Sequence, residues 1–105
     1  MIYAFDIDGT ICTDTKGNYE KCKPYNDVIK KINDLYKKHT ILLFTARGTN
    51  SGRDLYDFTK DQVDSWGVKY HNLILGKPHF DILIDDKALN NVDWYKKNKL
   101  RIENE

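Results

Sequence analysis

Charge of a single sign is missing from this sequence: 17 Lys and Arg face 16 Asp and Glu across 105 residues. A net charge of +1 gives no long-range field to draw the chain toward nucleic acid or anionic lipid, and it points to a small or uncommitted partner. Long apolar runs are missing too, so no membrane span is expected. The opening MIYAFDIDGT lacks the basic front and small-residue cleavage site of a signal peptide, which reads as a cytoplasmic chain. Cysteine is scarce. Cys12 and Cys22 stand without a second pair or a His at zinc spacing, and free thiols are expected. Internal repeats, low-complexity tracts and linkers are also lacking, and the length suits one compact domain over 1–105 with no separate substrate-binding domain.

What is present is a set of four short, continuously apolar runs: Ile2 to Phe5, Ile41 to Phe44, Leu73 to Leu75 and Ile82 to Ile84. Continuous runs suit strands covered on both faces, the habit of parallel sheets. Between the first two, Tyr25, Val28, Ile29, Ile32, Leu35 and Tyr36 recur at helical spacing, with Pro24 near the start, where a missing N–H is harmless. Between the second and third, Leu55, Phe58, Gln62, Val63 and Trp66 repeat the pattern, and Gly67 is a plausible stop. A last helix is expected over about 88 to 98, using Leu89, Val92, Trp94 and Tyr95. This order predicts an α/β domain with a mostly parallel central sheet, whose ligands bind at the carboxyl ends of the strands.

Polar groups collect at those ends. The first run leads into Asp6, Asp8, Gly9 and Thr10; the second ends at Thr45; Lys77 follows the third; Asp85 and Asp86 follow the fourth. Any one of them alone reads as a cap or a turn residue. Three or four carboxylates at one sheet edge instead repel one another unless a cation neutralises them, and oxygen ligands favour Mg2+. A carboxylate left over can attack phosphorus, and a second can carry the leaving group's proton. Thr45 offers a hydroxyl and Lys77 a positive charge to a transferring phosphoryl group.

Asp6-Ile7-Asp8-Gly9-Thr10, Thr45 closing an apolar run, Lys77, and Ile84-Asp85-Asp86 resemble the four ordered motifs of the haloacid dehalogenase superfamily. The resemblance implies a Rossmann-like three-layer sandwich and makes Asp6 the nucleophile and an Mg2+ ligand. It makes Asp8 the general acid/base, which also binds the metal through its backbone carbonyl, and has the Asp85-Asp86 pair complete the metal site. The substrate contacts are then Gly9, Thr10, Thr45, Ala46, Arg47 and Lys77. An Asp two residues after the nucleophile is similar to the phosphatase and phosphomutase branches. The stretch Cys12 to Lys23 looks like the short flap after the first motif, and short intervals elsewhere make this resemble a capless member. Local wording around Thr45-Ala46-Arg47-Gly48, Leu75-Gly76-Lys77-Pro78 and Ile84 to Ala88 is similar to small phosphatases of capsule and surface-polysaccharide synthesis.

Arg47 and Arg53 flank a polar loop after Thr45, on the side where a substrate would lie, and Arg47 is read as a substrate contact. His79 is read as exposed or supporting, and His39 and His71 as structural or surface residues. A response-regulator receiver is disfavoured, because its Lys follows its Thr on a later strand, with no acidic pair behind it. A phosphotransferase or mutase, and a non-catalytic phospho-ligand binder, are the alternatives to hydrolysis. The expected partner is a small phosphorylated metabolite such as a phosphosugar or polyol phosphate. Self-association is expected to cover a site that has no cap of its own.

Overall fold

The computed structural model describes residues 1–102. The chain forms β1 (Ile2–Phe5), α1 (Asn26–Tyr36), β2 (Thr40–Phe44), α2 (Tyr56–Ser65), β3 (Asn72–Ile74) and α3 (Asn91–Lys97), with one turn of 3-10 helix at Tyr19–Lys21. The three strands make a parallel sheet in the order β1-β2-β3, so this is a small α/β domain. The first three apolar runs became strands and the three helical patterns became helices. α3 starts later than expected because Asn90 caps it, its Oδ1 accepting from the Val92 N–H at 2.9 Å.

Register explains which residues form the core. Tyr3 and Phe5 pair with Ile41 and Leu43, and Leu43 pairs with Leu73, so these five share one face of the sheet. Val28, Ile29 and Ile32 of α1, Val63 of α2 and Tyr95 of α3 join the same apolar cluster, and Trp94 sets its ring edge-on to Phe5, centroids 5.1 Å apart. The opposite face carries Ile2, Ala4, Leu42, Phe44 and Ile74, all partly or fully exposed. The sheet is therefore well covered on one face only, where continuous apolar runs had implied two.

The fourth expected strand does not form. Ile82–Ile84 lies in an extended, exposed stretch, with Ile82 at 78% and Ile84 at 93% exposure. β-structure needs a partner edge as well as an apolar run, and this segment pairs with none of the three strands. The outer edge of β1 is correspondingly free within this sheet. No helix among the described residues is long and apolar enough to cross a membrane.

Candidate functional site

Beyond Phe5 the chain leaves the sheet through a tight loop organised on one carbonyl. The oxygen of Ile7 accepts from the N–H groups of Thr10 (3.0 Å), Ile11 (2.8 Å) and Cys12 (3.4 Å), while the Gly9 N–H donates to the Cys12 carbonyl at 2.9 Å. The turn takes Gly9 to a φ of +81°, open to glycine without strain. From the other side, Asn91 Nδ2 donates to the Gly9 carbonyl at 2.8 Å and the Tyr95 hydroxyl donates to the Thr10 carbonyl. The N–H groups of Gly9 and Thr10, two of the expected substrate contacts, are thus engaged within the loop itself.

Asp6 stands at the mouth of this loop. Lys77, arriving from the turn after β3, places Nζ 3.6 Å from Asp6 Oδ1. The ammonium lies over the rings of Phe44 (5.7 Å) and Phe80 (5.5 Å), so its stem is held against apolar surface. Burial raises the Asp6 pKa from its ordinary value, with Lys77 pulling the other way and Asp8 adding to the rise. Thr45 follows β2, the middle strand of the sheet. It is buried, its N–H donates to the Ile74 carbonyl at 3.0 Å, and its Oγ1 accepts from the Arg47 N–H at 3.2 Å. The Thr45 carbonyl accepts from the Lys77 N–H at 3.2 Å, which ties the Lys77 turn to β2. Asp6 and Lys77 thus meet as an ion pair, while Thr45 is tied to the Lys77 turn through its backbone and its buried hydroxyl is engaged by the Arg47 N–H.

Asp8 points elsewhere. Arg47 grips it with a two-pronged ion pair, Nε to Oδ2 and Nη2 to Oδ1, both at 2.9 Å. The Arg47 side chain is 0% exposed, so it is not the solvent-facing substrate contact that its place in a polar loop suggested. Gln62 Oε1 accepts from Nη1 at 2.7 Å, and Tyr19 stacks its ring 4.5 Å from the guanidinium. Burial works against the Arg47 charge, but the hydrogen bonds and charge of Asp8 outweigh it and raise the Arg47 pKa. The turn that returns the chain needs Gly48 at a φ of +81°, since a Cβ there would lie 2.4 Å from the Arg53 carbonyl oxygen.

Two thiols complete this cluster. Cys22 Sγ lies 3.4 Å and Cys12 Sγ 3.7 Å from Asp8 Oδ1, and both cysteines are free, as expected. Burial first, and the Asp8 charge second, push the Cys12 thiol up, which disfavours its thiolate. The sequence reading missed Tyr19, Thr59 and Gln62 as site residues. The available signal was Gln62 itself, a polar residue at an otherwise apolar helix position.

The four-carboxylate cluster is not assembled. Asp85 and Asp86 sit on the exposed segment after Ile84, where Asp85 accepts from the Lys87 N–H at 2.8 Å and Asp86 faces Lys87 Nζ at 3.7 Å. Among the described residues, the acidic and thiol donors that converge are Asp8, Cys12 and Cys22, without Asp6, Asp85 or Asp86. With Asp8 turned to Arg47 and the acidic pair apart from Asp6, the donors as placed do not fit an Mg2+ shell of several oxygens. Ala46 accepts from the Thr49 N–H at 3.0 Å, and His79 and Arg53 are exposed. A groove of about 660 Å³ opens away from all of these, lined by Tyr36, Tyr56, Lys60, Tyr70 and His71 among others.

No family model and no curated protein matches the chain. A crystal structure of an MCSG target from Vibrio cholerae has the same fold, with a TM-score of 0.80 and 22% identity over 98% of this chain and 91% of that one.

Proposed function

We propose that this protein is a phosphatase of the haloacid dehalogenase type that hydrolyses a small phosphate monoester through Asp6. The observation that carries the reading is the meeting of Asp6 and Lys77, 3.6 Å apart, at the end of β1 and after β3, beside Thr45 at the end of β2. A carboxylate facing a fixed ammonium at the open ends of parallel strands suits attack on a phosphoryl group whose negative charge needs a partner.

In this reading an Asp6 oxygen forms a bond to phosphorus as the bond to the leaving oxygen breaks. Asp8 gives that oxygen its proton, so an alcohol departs. Water then attacks the acyl phosphate, Asp8 takes back a proton, and inorganic phosphate leaves with Asp6 restored. Lys77 holds the phosphoryl oxygens throughout, and the Thr45 hydroxyl is proposed as its partner from the motif resemblance alone. Mg2+ belongs to the proposal through the motif resemblance alone, and binding it at Asp6 requires the segment carrying Asp85 and Asp86 to move. The substrate class is a small phosphorylated metabolite, with surface-polysaccharide precursors favoured by the wording around the motifs, and a second copy of the chain is proposed to cover the site.

The test is hydrolysis of an aryl phosphate by the wild type and by Asp6→Asn. The reading expects turnover by the first and none by the second; equal turnover by both would remove Asp6 from the chemistry.

A further inference from the structure

Resting on that reading of the site, we propose that Arg47 is a positioning residue that fixes the carboxylate of Asp8, and is not a contact for the substrate's phosphate. Its guanidinium has five N–H groups, and each has an acceptor. Nε and Nη2 reach the two oxygens of Asp8 at 2.9 Å, Nη1 reaches Gln62 Oε1 at 2.7 Å and Thr59 Oγ1 at 3.4 Å, and Nη2 also reaches Cys22 Sγ at 3.7 Å. Tyr19 covers one face of the plane. With its side chain 0% exposed, no donor is left over for a phosphate arriving from solvent.

The geometry constrains Asp8 in return. A fork-to-fork pair sets the plane of the carboxylate as well as its distance, which a single ammonium cannot do. Oδ1 of Asp8 also faces Cys22 Sγ at 3.4 Å and Cys12 Sγ at 3.7 Å, so Oδ2, which accepts from Arg47 Nε, is the oxygen with a lone pair to spare, and the pair sets the direction in which it points. Gln62 does two things here: its Oε1 accepts from Arg47, and its Nε2 donates to the Tyr19 carbonyl at 2.7 Å. The flap segment that carries Tyr19 and Cys22 is thereby linked to the orientation of Asp8.

The experiment compares first-turnover release of the leaving group from an alkyl phosphate and from an aryl phosphate, in wild type, Arg47→Lys and Gln62→Met. The alkyl leaving group needs Asp8's proton and the aryl one needs it little. Arg47→Lys keeps the charge and loses the fork, so its alkyl rate is expected to fall about 10²-fold and its aryl rate by less than about threefold, with half-saturation unchanged. Gln62→Met, which leaves Asp8 untouched, is expected to shift the same ratio the same way by a smaller factor, and it carries the test if Arg47→Lys proves unfolded by circular dichroism. Equal losses on the two esters, or weaker half-saturation with intact rates, would overturn the assignment and return Arg47 to a structural or substrate-binding role. A wild type that hydrolyses neither ester would overturn the phosphatase reading, and this inference with it.

Discussion

Lys77 and Asp6 form an ion pair at 3.6 Å across the open end of the sheet, and the hydrogen bond from the Lys77 N–H to the Thr45 carbonyl holds the turn that makes it. An ammonium placed there faces the charge that develops on a transferring phosphoryl group. Lys77→Ala is therefore expected to lower kcat/KM on an aryl phosphate by at least about 10²- to 10³-fold, the scale of losing one oxyanion donor. Steady-state kinetics check it, and near-normal values would make the Gly76-Lys77-Pro78 turn merely structural.

The exposed segment from Phe80 to Asp86 yields a second expectation. With no strand partner, the amides of Ile82 to Ile84 should exchange with solvent quickly in metal-free protein. If Mg2+ is held between Asp6 and the acidic pair, adding it should slow exchange at these amides and support hydrolysis, and chelator should reverse both. Hydrogen exchange with and without Mg2+, run beside the activity assay, checks this. Full activity in chelator with unchanged exchange would remove the metal from the mechanism.

Tyr95 ties stability to pH. Burial is the main reason that its pKa is raised to about 12. A phenol whose folded pKa lies above its unfolded value of about 10 stabilises the fold fully below pH ~10, and that contribution is lost as pH rises from there to about 12. Tyr95→Phe removes the hydrogen bond to the Thr10 carbonyl and should cost about 1 kcal/mol at neutral pH, with a shallower loss of stability in alkali. Urea unfolding at neutral pH and near pH 11 measures both. Identical pH dependence in wild type and Tyr95→Phe would contradict the assignment.

The parts of the fold that could be read from the sequence are those where an apolar pattern and its partner coincide. β1, β2 and β3 are continuous apolar runs that found one another, and α1 shows its buried stripe of Val28, Ile29 and Ile32 directly in its spacing. Ile82–Ile84 has the same pattern, but periodicity reports what a segment can bury and not whether an edge receives it. Asp6, Thr45 and Lys77 could be read because each ends or follows an apolar run, and strand ends in a parallel sheet converge. Arg47 could not. Its backbone lies in a polar loop, and its long side chain folds back under the loop to Asp8, which no local pattern records. Cys12 and Cys22 came to Asp8 in the same way, through a loop whose return is set by the Thr13 N–H to the Lys23 carbonyl and the Tyr25 N–H to the Ile11 carbonyl.

The central claim is that Asp6 becomes phosphorylated, and trapping that acyl phosphate tests it most directly. Protein quenched in acid during turnover of an aryl phosphate, then reduced with borohydride, should yield homoserine at position 6, read by mass spectrometry of the peptide containing Asp6 and Asp8. Reduction at position 6 in the wild type, abolished in Asp6→Asn, is the predicted result. Turnover of the ester with position 6 left as aspartate, or with homoserine at position 8 instead, would contradict the account.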